Sequence, residues 1–411
     1  MEGTGRAARY RDVFANGEFR ALWLAELVSS AGDQVARVAL SVLVYVRTQS
    51  AALTAFTFAL TFLPALFGPL LAGLADRYPR REVMIVCDVS RGAVMAVMAL
   101  PFVPLWVMFP LIFVAQLLSS PSNAARGALL ADVLTGDKLT VGQGLRQIVG
   151  QIAQVGGFAV GGLLTAALTP YGSLAVNAAS FFVSAAILFT GVRHRPAANG
   201  DSGSISLLES TRRGARLVFA DRQLRTLIWI IWMIGLPVTA DGLAVPYASR
   251  ISADPTAGSW LLAASPVGAI IGAFLITKLQ PAVRLRLMAP LAGLSGLPLL
   301  ICVWQPNLIV SCVLFALSGA AAAYMVVAPA TFIQRSPQAS RGQMVGLMTS
   351  GYIASQGVCL ALGGVVADRL GPAGALGVAG AAALVLGVVL TVTWQRVNLV
   401  GVSHGPAESA A

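Results

Sequence analysis

The sequence predicts an all-α polytopic membrane protein with twelve transmembrane helices in two six-helix bundles. Three observations lead there. The chain of 411 residues is 57% hydrophobic and only 11% charged, where soluble domains average about 25% charge. Its mean hydropathy is +0.78. Its apolar runs are long enough to cross a bilayer, a task that takes roughly 20 residues, and Lys and Arg alternate between their ends.

The runs fall at 20–46, 53–75, 83–104, 106–130, 140–168 and 172–192, then at 224–249, 257–279, 284–304, 307–330, 342–367 and 373–396. Pro64, Pro121, Pro237, Pro266 and Pro329 lie within them. Membrane helices tolerate such prolines when neighbours satisfy the freed backbone groups. No short cleavable leader is expected: the first run follows a basic, polar segment and reads as the first span.

Orientation follows from the basic residues. With the N-terminus in the cytoplasm, the inner segments hold Arg6, Arg9, Arg11 and Arg20, then Arg77, Arg80 and Arg81, and later Arg335, Arg341 and Arg396. The outer loops hold only Arg47, Arg250 and Arg369. The net charge of +11 is therefore mainly a topology signal, not a nucleic-acid footprint. The expected location is a bacterial cytoplasmic membrane, with both termini inside.

Residues 193–223 are the one long polar interruption. "PAANGDSGS" reads as a flexible segment, and "LLESTRRGARLVFADRQL" as an amphipathic basic helix at the membrane surface. The expected organisation is an N-terminal bundle over 1–192, a linker over 193–223, a C-terminal bundle over 224–396 and a tail over 397–411.

Chemistry of the usual enzymatic kinds is not legible. His194 and His404 are the only histidines, and the four cysteines stand singly. No metal cluster, nucleophile–base pair or Walker sequence appears. The chain is expected not to be an enzyme and to need no cofactor.

The first span carries "ELVSSAGDQVARVAL", residues 26–40. Glu26, Ser30, Asp33 and Arg37 are spaced four, three and four, so they share one helix face. Asp33 falls near mid-membrane, where a charge facing lipid costs at least about 2.5 kcal/mol. The stripe should face a water-filled cavity. Asp33 with Arg37 reads as a mutually neutralising pair, either fixed or functional. Glu26 reads as less paired, a group suited to taking and releasing protons or a near-surface carboxylate. Of the seventeen acids, Glu26, Asp33 and Asp241 are the ones expected well inside spans, with Asp88 and Asp132 nearer helix ends.

Further polar stripes suggest a substrate cavity. Gln116, Ser119, Asn123 and Arg126 share a face of the fourth span, and Gln143, Gln147, Gln151 and Gln154 a face of the fifth. The alternative is hydrogen bonding between helices. Arg126 and Arg146 read as latch or phospholipid-facing groups. "GGFAVGG", 156–162, predicts close helix packing. Trp229, Trp232, Tyr247, Tyr324 and Tyr352 read as aromatics that could stack on a hydrophobic substrate or serve as packing.

After the second span comes "AGLADRYPRREVMI", residues 72–85. It resembles the signature loop of the major facilitator superfamily, Gly-x-x-x-Asp-Arg-x-Gly-Arg-Arg. Asp76, Arg77, Arg80 and Arg81 match; Ala72 and Pro79 stand where the pattern has Gly. "ARGALLADVL", 125–134, is similar to the end of the family's fourth helix, where an acid pairs with the signature Arg. The resemblance implies that Asp132 partners Arg77, and that Asp76, Arg77, Arg80, Arg81 and Asp132 form a conformational latch. The opening "FRALWLAELVSSAGDQVARVALSVLVY" resembles the macrolide-efflux and drug:proton antiporter branch. That implies a proton-driven exporter of lipophilic or amphipathic small molecules, with Asp33, Glu26, Asp241 and Arg37 as coupling candidates. Its cavity candidates are Gln116, Asn123, Gln147, Gln151, Gln154 and Tyr324. The expected partners are a small-molecule substrate and the bilayer, with the chain acting as a monomer. The alternative on the same fold is a dedicated siderophore exporter or a lysolipid flippase.

Overall fold

The computed structural model describes residues 10–67, 78–196 and 207–402, and among them every regular element is helical. Sixteen α-helices are used below. They are α1 Tyr10–Phe14, α2 Gly17–Thr48, α3 Ala51–Ala59, α4 Arg80–Met98, α5 Leu105–Leu117, α6 Ser119–Val133, α7 Asp137–Gly191 and α8 Leu207–Ala220. There follow α9 Arg222–Trp232, α10 Gly235–Ile251, α11 Ala257–Lys278, α12 Pro281–Leu294, α13 Gly296–Ile301, α14 Leu308–Ala321, α15 Tyr324–Arg335 and α16 Arg341–Val402.

Eight helical stretches of the described residues are long and apolar enough to cross a membrane. Two of these run to 51 and 56 residues, more than twice what one crossing needs. Each is broken once. α4 is absent from the eight because Arg80, Arg81, Glu82, Asp88 and Arg91 stud it with charge.

Proline chemistry sets several breaks. A helical proline has no N–H to give and its ring presses on the carbonyl four residues back. Four residues before Pro121 lies Leu117, the last of α5; before Pro237 lies Met233, in the gap between α9 and α10; before Pro298 lies Leu294, the last of α12. α2 contains no proline and runs unbroken for 32 residues.

The chain divides into two compact units. One comprises residues 1–47 and 63–202, the other 48–62 and 203–411. Residues 48–62 thus group with the second unit although both flanking segments belong to the first.

In the first unit, α2 and α7 approach closely. A Cβ on Gly157 would lie 2.6 Å from Gln34 Cβ and 2.9 Å from the Ala31 carbonyl oxygen; one on Gly161 would lie 3.0 Å from Val35 Cα. The small residues of "GGFAVGG" therefore make the close contact their spacing suggests. Apolar packing of Ala21, Leu22, Ala25, Met84, Ala125, Leu129 and Leu188 joins α2, α4, α6 and α7 near one end.

In the second unit, α3 docks on α16. Asp368 accepts from Ser50 Oγ at 3.1 Å and from the Ala52 N–H at 3.0 Å, so it caps the first turn of α3. A Cβ on Gly364 would meet Ala52 Cα at 2.9 Å. The core packs Leu227, Ile228, Ile231, Phe332, Met344 and Trp394. Tyr324 is completely buried in this core.

The two long helices break at matching places. α7 reads Leu168-Thr169-Pro170-Tyr171-Gly172 and α16 reads Leu370-Gly371-Pro372-Ala373-Gly374. Thr169 has φ 69° and ψ 163°, and Gly371 has φ 78° and ψ 163°. A Cβ on Gly172 would lie 2.8 Å from Leu168 Cβ, and one on Gly374 lies at the same 2.8 Å from Leu370 Cβ. The Leu-x-Pro-x-Gly turn thus recurs in both long helices.

Candidate functional site

Asp33 lies 16 residues into α2, about 24 Å along a helix about 48 Å long. Its carboxylate is held from another helix. Arg91 Nη2 of α4 donates to both oxygens, at 2.9 and 3.2 Å. The Arg91 guanidinium also stacks over the Phe181 ring at 4.3 Å, and Arg91 is only 6% exposed. The stripe on α2 had suggested Arg37 as the partner of Asp33. A turn away on one helix, Arg37 instead donates to Gln34 at 3.2 Å.

One turn further along α4's inner face sits Asp88, 1% exposed, which accepts from Ser184 Oγ at 2.7 Å. Its charge interacts with those of Arg126, Arg91 and Asp33. Asp88 is thus well inside the bundle and not near a helix end. Arg91 is not among the residues singled out from the sequence, which set Asp88 near a helix end. The signal was present: two charges three apart in an otherwise apolar run, on one helix face.

Glu26 is more firmly paired than its isolated position on α2 suggested. Arg146 of α7 donates to it bidentately, Nε to Oε2 at 3.0 Å and Nη2 to Oε1 at 3.0 Å. Arg126 Nη1 lies 3.8 Å from Oε1. Arg126 and Arg146 thus both turn toward one carboxylate. Arg126 is 5% exposed.

Asp33, Arg91 and Arg126 bound a cavity of about 280 Å³. From α2 it takes Ser29, Ser30, Asp33, Gln34 and Arg37; from α4, Arg91. From α5 and α6 it takes Gln116, Ser119, Ser122, Asn123 and Arg126. The stripe on the fourth span and the stripe on the first therefore face the same space. Gln147, Gln151 and Gln154 are not among its lining residues; Gln147 is exposed and the other two are half-buried. Asp241 lies half-buried on α10 in the second unit.

At one end of the first unit the signature-loop residues tie helices together. Arg80 pairs with Asp132 and reaches the Ala128 carbonyl at 3.5 Å, joining α4 to α6. Arg81 donates to the Phe189 carbonyl and stacks over its ring at 4.9 Å, joining α4 to α7. Glu18 accepts from Arg195 Nη2 at 2.6 Å and from the Arg193 N–H at 2.9 Å. Asp132 thus has Arg80 as its described partner, where the resemblance implied Arg77. Asp76 and Arg77 lie outside the described residues.

A helical bundle with a charged interior chamber of about 280 Å³ midway along its helices suits a membrane transporter. Solved structures share the fold. A bacterial homologue of the human lysosomal transporter Spinster, inward-facing and occupied, superposes with a TM-score of 0.71 over 98% of this chain and all of that one, at 14% identity. The nucleoside transporter NupG gives 0.71 over 92% of this chain and 99% of the other, also at 14% identity. Residues 12–402 match the transmembrane secretion effector family, and the chain belongs to that family of the major facilitator superfamily.

Among relatives, the "Multidrug efflux pump Tap" of Mycobacterium tuberculosis (strain ATCC 25618 / H37Rv) is 30% identical over 84% of this chain and 86% of its own length. "Macrolide efflux protein A" of Streptococcus pyogenes is 26% identical over 36% of this chain and 38% of its own. The protein is a multi-pass membrane transporter and not an enzyme.

Proposed function

We propose that this chain is a secondary active exporter of lipophilic or amphipathic small molecules, driven by proton antiport through alternating access. The observation that carries the reading is the Asp33–Arg91 ion pair on the wall of a mid-helix cavity. An ion pair inside a bundle is costly to maintain and weak evidence of stability alone. Ionisable groups at membrane depth are by default functional. Taking up a proton neutralises Asp33 and leaves Arg91 without its counter-charge. Helix packing around α4 must then respond, and the cavity's affinity for a ligand changes with it. The named efflux relatives support the export direction and the drug-like substrate class.

On this reading the proton gradient supplies the energy and no resident cofactor is involved. The protein works as a monomer in the bacterial cytoplasmic membrane with both termini inside, as the Lys and Arg distribution supports. Glu26, held by Arg146, is the second coupling candidate and Asp241 the third. Arg80 with Asp132 acts as part of a latch that parts during the cycle.

The test is drug susceptibility in a bacterium stripped of its own efflux pumps. Wild type should raise the inhibitory concentrations of macrolides or lipophilic cations, and Asp33→Asn at matched membrane expression should not. Protection by both proteins alike would remove Asp33 from the coupling role. Protection by neither would sink the multidrug reading and favour a dedicated exporter or an importer.

A further inference from the structure

Arg126 is a buried guanidinium that shares the Glu26 charge at 3.8 Å but makes no hydrogen bond among the described residues. Its side chain is 6% exposed. The nearby carboxylates accept their hydrogen bonds from other groups: Glu26 from Arg146, Asp33 from Arg91, and Asp88 from Ser184. The distance of 3.8 Å from Arg126 Nη1 to Glu26 Oε1 is beyond hydrogen-bond range. Its Nε is buried without an acceptor. Among the described residues Arg126 makes no hydrogen bond. A guanidinium carries five donors in a planar fork, and leaving charged donors unmet in a buried place is expensive.

The wall beside Arg126 suits a ligand. Gln116, Ser119 and Asn123 line the same cavity and add neutral donors and acceptors at helical spacing from it. The cavity volume of about 280 Å³ is at the small end for ligand pockets. It accommodates the polar head of an amphiphile better than a whole drug-sized molecule. The planar fork matches a carboxylate or phosphate bidentately.

The geometry points to an organic anion as the substrate class: an amphipathic molecule whose carboxylate or phosphate ester seats on Arg126, with Asn123 and Gln116 hydrogen-bonding the adjacent polar atoms. The inference rests on the export reading and narrows its substrate. Electrostatically it completes the chamber, because the ligand brings the acceptor that Arg126 lacks.

The test compares 1-naphthylacetate with 1-naphthylacetamide, which share ring and size but not charge. Binding of each radiolabelled compound is measured by equilibrium dialysis at neutral pH to the full chain in phosphatidylcholine nanodiscs, with empty discs subtracted. Wild type should bind the acid at least about ten-fold more tightly, as a charge-assisted, largely desolvated contact implies. Arg126→Gln should bring the two compounds within about two-fold. Equal binding in wild type, or an undiminished preference in Arg126→Gln, would overturn the inference.

Should Arg126→Gln not purify as a folded protein, Arg126→Lys carries the test. A point charge replacing the fork should lower the preference at least about three-fold, and an unchanged preference counts against the site. Phosphatidylglycerol added to the discs separates sources. If it displaces naphthylacetate, the anion site stands and a lipid headgroup is its ligand; if it does not, the site stands as one for small molecules. Failure here is distinguishable from failure of export. Resistance to neutral and cationic drugs without acid preference removes the anion site and leaves export. Acid preference without resistance to macrolides or lipophilic cations keeps the anion site and removes multidrug export.

Discussion

Arg91 reaches from α4 to both carboxylate oxygens of Asp33 on α2 while its guanidinium lies on the face of Phe181. Two helices and an aromatic ring from a third thus meet at one charge pair. The arrangement makes the two residues interdependent. Removing one partner of a buried pair exposes the other to an uncompensated charge, typically at about 3–5 kcal/mol.

Arg91→Gln should therefore be more damaging to the fold than Asp33→Asn, because Asn still accepts from Arg91. The double variant Asp33→Asn/Arg91→Gln should recover most of the melting temperature lost by Arg91→Gln alone, yet remain inactive in resistance assays. Thermal unfolding in detergent read beside drug susceptibility checks this. A double variant as unstable as Arg91→Gln would mean that stacking on Phe181, and not charge pairing, holds the site.

Glu26→Gln should leave Arg146 and Arg126 facing an amide where two cations had a carboxylate. Stability should fall by about 1–3 kcal/mol, the usual cost of unmet buried charge-assisted bonds. Glu26→Asp keeps the charge but not the reach to Arg146, and should fall between. Equal melting of wild type and Glu26→Gln would show the carboxylate to be structurally idle.

Thr169 carries a β-branched side chain at φ 69°, a conformation that favours glycine. Its counterpart Gly371 adopts nearly the same dihedrals without that penalty. Thr169→Gly should stabilise the protein or at worst leave it neutral, since relieved strain of about 1–3 kcal/mol outweighs the added freedom of the unfolded chain. Gly371→Thr should destabilise by a similar amount. Melting curves of the two single variants decide it, and a destabilised Thr169→Gly would refute the repeat as a strain argument.

Gly157→Leu should break the α2–α7 contact. Even a Cβ meets Gln34 Cβ at 2.6 Å and the Ala31 carbonyl at 2.9 Å, and that carbonyl is backbone that cannot swing aside. A loss of at least about 1–3 kcal/mol is expected from overpacking. Gly156→Leu, where a Cβ meets nothing within 4 Å, is the matched control and should be nearly silent in the same thermal assay.

Asp132→Asn removes the partner of Arg80 in a pair that is partly exposed. Such pairs contribute only about 0–1 kcal/mol, so melting should barely move. If the pair is a latch, drug export should nevertheless fall. Unchanged export would reduce Arg80 and Asp132 to anchoring.

What could be read without a structure was whatever depends on composition and local period. Apolar runs, prolines and alternating basic ends carry the helical, multi-pass character. The three- and four-residue spacings carry the polar faces of α2 and α6, because a helix maps spacing onto a face directly. The close packing by "GGFAVGG" is legible for the same reason. Pairing between faces is not, since it depends on how each helix is rotated and shifted against its neighbours. Tertiary packing decided that Asp33 pairs with Arg91 across the bundle instead of Arg37 beside it. It gave Glu26 to Arg146, took Tyr324 into an apolar core, and left Arg126 turned into a cavity with its donors unmet. Periodicity says which residues look the same way; only the packed bundle says what they look at.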